Sequence, residues 1–249
     1  MGAFSVAVRM AKWSGFRSRF RLAILIKDES GAHQWKPRFV EGRSIIDGKL
    51  DSRSFISMNK IERSDDGWKL LMEFTQSESL RKHALSVEAC MRAYARKLNG
   101  DEAKWAMVGL IHDFDYEKYP SAEEHPYKGN EILKDRSYPD DICRAIMSHA
   151  EYTGVTRDSQ MEKALFACDE LAGFITATAL IKPNKSLAEV DAKSVRKRMK
   201  DKAFARSVSR EDIINGAASL GVDLDEHITF CIEAMKSIAA ELGLEGSRS

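Results

Sequence analysis

Apolar residues recur at helical spacing from about Asp65 to the end of the chain. Nowhere do they alternate with the period of two that a half-buried strand needs. Ser79 stands where it can cap a helix over 80–98, with Leu80, Val87, Cys90, Met91, Tyr94 and Leu98 on one stripe and Asn99-Gly100 as the stop. Asp101 caps a second helix through Trp105, Val108 and Leu110 to about Asp113. Pro120 closes the loop behind it. Pro126 and Pro139 sit where first-turn prolines belong, opening helices that carry Ile132-Leu133 and Ile142, Ile146 and His149. Ser159 precedes a long helix over 160–181, ended by Pro183. Shorter helices follow over 187–200 and 210–220, and a last one over 225–242 with Gly243 behind it. No internal repeat is present. The pattern predicts an all-α bundle of about eight helices.

Residues 1–57 lie outside that pattern. Residues 1–60 carry twelve Lys and Arg against five Asp and Glu, and the remaining 189 residues carry 27 against 33. The near-zero net charge of +1 therefore hides a basic start and a mildly acidic body. Arg9, Lys12, Arg17, Arg19, Arg21 and Lys27 all precede the first acidic residue, Asp28. The stretch reads as a poorly structured basic extension before a domain over 58–249. Two origins are open for it: a targeting or membrane-surface arm, or sequence upstream of a true start at Met58.

With 43% hydrophobic and 31% charged residues, the body is expected to be globular. The strongest apolar run, Leu22–Ile26, falls far short of the roughly 20 residues that span a bilayer. A cytoplasmic protein without a membrane span is the expectation. The acidic body predicts no specific nucleic-acid partner, and Trp13, Trp35, Trp68 and Trp105 do not cluster as a base-stacking platform. Cys90, Cys143, Cys168 and Cys231 are scattered without a CxxC pair. That argues for a reducing compartment and against a disulfide framework or a thiolate zinc site, and all four read as buried packing residues.

Four of the six histidines fall at positions that face inward. His83 lies three residues after Leu80 on the apolar stripe, His112 is one turn beyond Val108, His125 opens a helix before Pro126, and His149 continues the stripe of Ile142 and Ile146. Asp113 follows His112 directly, and Asp169 is flanked at helical spacing by Leu165 and Ala172. One such residue alone is ordinarily a satisfied core histidine or a solvated aspartate. Six together are costly to bury unless paired or bound to metal. Imidazole mixed with carboxylate suits manganese, iron, nickel, cobalt or zinc. His33 and His227 fall outside this set and are expected to bind no metal.

The order His83, His112-Asp113, Asp169 resembles the HD superfamily of metal-dependent phosphohydrolases. So do the strings Leu80-Arg-Lys-His83, Gly109-Leu-Ile-His112-Asp113 and Ala167-Cys-Asp169-Glu-Leu-Ala-Gly173. The similarity runs from about residue 67 to 244, and its later part is similar to a subgroup of uncharacterised bacterial HD-domain hydrolases. It implies that His83, His112, Asp113 and Asp169 hold one divalent transition metal. His125 and His149 resemble the extra ligands of two-metal members, with Asp113 bridging, so one or two metals per chain are expected. Such a site activates water against a small phosphate ester, nucleotide-like or another phosphorylated metabolite. Ligating histidines must be neutral, so activity should fall below roughly pH 6.

Where many family members follow the His-Asp pair with a small residue and a lysine, this chain has Phe114-Asp115-Tyr116-Glu117-Lys118. Asp115 is expected to orient a ligand or water, and Lys118 to reach a phosphate; a solvated loop is the plain alternative for both. With Asp113 they form the catalytic set. The basic stretch 193–202 offers Lys193 and Lys197 as substrate contacts, or simply a solvated helical face. Glu170 reads either as a support for Asp169 or as an exposed acid. Two other functions share the same residue order: a mixed-valent diiron oxygenase on the HD scaffold, and a catalytically silent ligand-sensing module. Oligomeric state is open.

Overall fold

The computed structural model describes residues 64–246. The expectations for residues 1–57 and for Met58 lie outside them. The described chain is all helical: α1 (Asp65–Phe74), α2 (Glu78–Lys97), α3 (Glu102–Ile111), α4 (Tyr127–Asp135), α5 (Asp140–His149), α6 (Gln160–Leu180), α7 (Ala192–Met199), α8 (Arg210–Leu220), α9 (Leu224–Lys236) and α10 (Ala239–Leu242). Two 3₁₀ turns, Glu151–Thr153 and Leu187–Glu189, complete it, and no strand occurs among the described residues.

Most helix starts carry a side-chain cap. Asp101 accepts the N–H of Lys104 at 3.0 Å, and Ser159 forms a capping box with Glu162. Asn99 takes the left-handed conformation that ends α2, with φ 56°, as the Asn-Gly pair predicts. Five boundaries differ from the sequence pattern. The cap of α2 is Ser77, which accepts the N–H of Leu80, while Ser79 only hydrogen-bonds the Ser77 hydroxyl. Pro126 and Pro139 precede their helices by one residue instead of occupying the first turn. The segment over 187–200 starts as a 3₁₀ turn, and Asp191 then caps α7. The segment over 225–242 breaks after Lys236 into α9 and α10; the Ser237 hydroxyl donates to the Ala234 carbonyl there.

The bundle is organised around α2 and α6. Helix α2 packs on α3 and α6, and α6 also packs on α5 and α8. Tyr94, Met91, Leu110, Ile111, Leu165, Leu171 and Phe174 are buried in the core of the bundle. Each such side chain contributes about 1.5–3 kcal/mol by leaving water. Helix α3 reaches α2 closely because Gly109 has no side chain: a Cβ there would stand 2.9 Å from Met91 Cγ and 3.0 Å from the Glu88 backbone. That close approach carries the end of α3 in beside His83. No helix among the described residues is long and apolar enough to cross a membrane.

Candidate metal centre

His83 projects from the first turns of α2. His112 follows the last residue of α3, and Asp113 follows it into a tight turn. Helix α5 ends on His149, α6 carries Asp169 at mid-length, and His125 precedes α4. The turn after Asp113 is held against the α1–α2 junction. Buried Phe114 packs edge-on against Phe74 at 5.1 Å, and its carbonyl accepts the Thr75 hydroxyl at 3.0 Å. Glu117 accepts the backbone N–H groups of Gln76 and Ser77 at 2.7 and 2.9 Å. Phe114 and Asp115 of this turn are buried in the core, while Tyr116, Glu117 and Lys118 remain on its exposed side.

The six side chains meet in one place. His83 Nε2 lies 2.9 Å from Asp169 Oδ1, and His112 Nε2 lies 3.3 Å from the same oxygen. Asp113 Oδ2 stands 3.5 Å from His112 Nε2 and 3.9 Å from His83 Nε2. The other oxygen, Asp113 Oδ1, stands 3.2 Å from both His125 Nε2 and His149 Nε2. The two oxygens of Asp113 thus face two different sets of ligand atoms: His83, His112 and Asp169 on one side, His125 and His149 on the other. His112, His125 and His149 are buried, while the side chains of His83, Asp113 and Asp169 stay about one-fifth exposed. The cluster therefore opens to solvent along that edge.

The opposite nitrogen of three rings is already spoken for. His112 Nδ1 donates to the Gly109 carbonyl at 2.9 Å, His149 Nδ1 donates to the Ile146 carbonyl, and His125 Nδ1 donates to Asp115 at 2.8 Å. Carbonyls and carboxylates only accept, so each Nδ1 carries the proton and each neutral ring turns a lone pair at Nε2 toward the cluster. Those lone pairs face carboxylate oxygens and one another; His125 Nε2 and His149 Nε2 are 3.3 Å apart. His112 Nε2 and Asp113 Oδ1 are buried with no hydrogen bond. Acceptors facing acceptors repel unless positive charge sits between them, as protons or as cations. The donor set and the orphaned atoms fit divalent metal on both sides of Asp113.

The same conflict appears in the acid–base balance. Burial disfavours charge on His112, but Asp113 and Asp169 outweigh it and hold its pKa well above the ordinary value. At His125 burial is likewise outweighed, by Asp113 and Asp115, and the pKa is pushed up to about 9. Against the cost of burial, the facing imidazoles hold Asp113 and Asp169 below the usual carboxylate range.

Asp115 is fully buried, which the sequence did not indicate. One oxygen accepts from His125 and the other accepts the Gly129 N–H at 2.8 Å. Both oxygens are hydrogen-bonded, one of them to His125, which suits the ligand-orienting role expected of Asp115. Gly129 makes room for it; a Cβ there would come within 2.7 Å of the carboxylate. Lys118 places its ammonium over the Phe74 ring, 4.0 Å from the centroid, and makes no bond to the cluster. Lys193 and Lys197 are exposed on α7, with no hydrogen bond or ion pair to the cluster, while their neighbour Arg196 pairs with Asp225 at 3.2 Å. Glu170 is partly buried and accepts the Ser209 N–H at 3.1 Å, tying α6 to the start of α8; burial and Asp169 push its pKa up to about 7. Sequence reasoning missed Gly129 and Tyr152, whose hydroxyl donates to the His125 carbonyl at 2.9 Å. Long-range packing brings Tyr152 to His125, while Gly129, four residues past His125, meets it through Asp115. His227, expected to bind no metal, is buried and bonded to Tyr94 and the Ala167 carbonyl.

Residues 80–173 match the family model described as the HD domain, a span that includes all six clustered residues. No curated protein and no solved structure matches the chain.

Proposed function

With residues 80–173 forming a domain of the HD superfamily, which includes metal-dependent phosphohydrolases, we propose that this protein hydrolyses a small phosphate ester at a dinuclear His/Asp centre. The observation that carries the reading is Asp113, which offers one oxygen to each of two ligand sets. In this reading His83, His112, Asp113 and Asp169 hold one cation, and Asp113, His125 and His149 hold the other. Bound divalent cations supply Lewis acidity and a nucleophilic water at neutral pH.

The chain's own residues supply geometry and charge. Asp115 and the carbonyls of Gly109 and Ile146 pin three rings by Nδ1, so the Nε2 lone pairs are aimed before any ligand arrives. The exposed edge at His83, Asp113 and Asp169 is where a phosphate ester enters. Tyr116, exposed and edge-on to the His125 ring at 5.3 Å, borders the other half.

Elemental analysis of protein purified without chelator tests the centre, beside the His125→Ala/His149→Ala double variant. Two metals per chain falling to one support the dinuclear reading, and Asp113→Ala should then lose both. Equal metal content in wild type and double variant removes the second position. A broad panel of phosphomonoesters and phosphodiesters tests the reaction, and no hydrolysis by the loaded enzyme overturns it. Iron with oxygen-dependent turnover would place the chain with the oxygenases instead. A His112→Ala variant that loses stability but no reaction would indicate a sensing module.

A further inference from the structure

Cysteines 90, 168 and 231 are far apart in sequence, yet α2, α6 and α9 bring them to one point. All three are fully buried, and their sulfurs lie within 4.8 Å of one another. The fourth cysteine, Cys143, is also buried but stands elsewhere, donating weakly to the Tyr138 carbonyl. We propose that Cys90, Cys168 and Cys231 form a second cation site, of the thiophilic class that takes Zn²⁺ or Cu⁺, chemically separate from the imidazole–carboxylate centre.

The spacing suits that chemistry. Thiolate sulfurs at about 2.3 Å from a zinc ion stand roughly 3.8 Å apart in a tetrahedron, so less than about 1 Å of closure per pair completes the site. A fourth donor is close. His227 lies one turn before Cys231 on α9, and its Nδ1 is 3.7 Å from Cys231 Sγ, near the roughly 3.6 Å edge between nitrogen and sulfur ligands on zinc. His227 Nε2 donates to the Ala167 carbonyl at 2.8 Å, so Nδ1 is the lone-pair nitrogen; it now accepts the Tyr94 hydroxyl at 2.6 Å. Zinc would draw His227 from Tyr94 as a fourth ligand, whereas Cu⁺ is satisfied by the three sulfurs alone. Soft sulfur donors and mixed imidazole–carboxylate donors select different ions, so one chain would sort two metals. Loading displaces thiol protons, and three rigid helices hold the sulfurs in place for it.

X-ray absorption on the full chain tests this, after loading with Zn²⁺ or with Cu⁺ under reducing, anaerobic conditions. The expected result is sulfur scatterers at about 2.3 Å, present in wild type and in Cys143→Ala, and lost in Cys90→Ala and Cys231→Ala. Should an alanine variant fail to fold, Cys231→Ser keeps the volume, and its zinc-induced rise in melting temperature should fall below that of wild type. Three sulfurs with one nitrogen identify zinc, and three sulfurs alone identify copper. Only nitrogen and oxygen scatterers in the saturated wild type, or a sulfur signal that survives in both alanine variants, would overturn the site and leave the cysteines as core packing.

Discussion

Asp115 takes the Nδ1–H of His125 at 2.8 Å, and that bond decides which nitrogen of His125 faces Asp113. The carboxylate's other oxygen is anchored by the Gly129 N–H, so the acceptor cannot turn away. An Asp115→Asn side chain would keep the size and the Gly129 contact. Its amide would present a donor to Nδ1, favouring the ring tautomer with its proton on Nε2. Affinity for the cation at His125 and His149 should drop by about 10- to 100-fold, with the His83–His112–Asp169 half retained. Metal stoichiometry against free cation checks this; equal loss at both halves would show that Asp115 acts through the whole fold.

Gly129→Ala probes the same contact without touching a ligand. The added methyl would meet the Asp115 carboxylate at 2.7 Å, so either α4 or Asp115 must shift. The expected cost is about 1–3 kcal/mol of stability, together with weakened cation binding at the His125 half. Urea unfolding and metal titration on the same sample separate the two effects. Full retention of both would mean that the close approach relaxes without disturbing His125.

The metal-free protein should have a pH-dependent stability with a definite sign. His125 is raised to about 9 in the fold against an ordinary 6.5, because Asp113 and Asp115 outweigh its burial. A raised histidine contributes its full stabilisation below about pH 6.5, and that contribution is lost as pH rises through about 9. The urea midpoint of chelator-treated protein should therefore fall across that window. Cation uptake, which displaces the proton, should strengthen across the same window, higher than the threshold near 6 that an unperturbed imidazole implies. A midpoint that rises between pH 6.5 and 9 would contradict the assignment.

Arg210 holds the segment between α7 and α8. Its guanidinium donates to the carbonyls of Ala205 and Val208 at 2.6 Å each, and to those of Asp201 and Phe204, while lying 4.8 Å over the Phe174 ring. Arg210→Ala leaves four carbonyls without that donor and should cost about 2–4 kcal/mol. Arg210→Lys should recover little of this, because an ammonium cannot fork in plane. Thermal unfolding reads the effect; a near-neutral Arg210→Ala would show that water replaces the guanidinium at no loss.

Local chemistry was readable from the chain. Asp101, Ser159 and Asn99 mark helix ends by side-chain or backbone chemistry within a few residues, and they mark them here. The inward positions of His83, His112 and His149 follow from helical period and that of His125 from its place before Pro126, and the structure brings all four together with Asp113 and Asp169. What the pattern could not carry is contact between distant segments. Asp115 and Lys118 sit three residues apart in one polar-looking turn; one is buried under α4 and the other lies on Phe74. Nothing local separates their fates, because Glu117, Phe114 and Thr75 fold the turn inward from across the chain. The absence of a CxxC pair argues against a disulfide framework or a thiolate zinc site, yet spacing along the chain says nothing about where three helices bring their sulfurs together.

A carboxylate shared between two ligand sets has a thermodynamic consequence. In the proposed dinuclear centre, whatever free energy a first cation would spend or save by setting the rotation of Asp113, a second would meet that carboxylate already set, and the coupling would be equal in either order of filling. The pair of affinities is then a property of one side chain's orientation as much as of the donors around it. A change at His149 should be felt in the affinity measured at His83, although no bond joins those two rings.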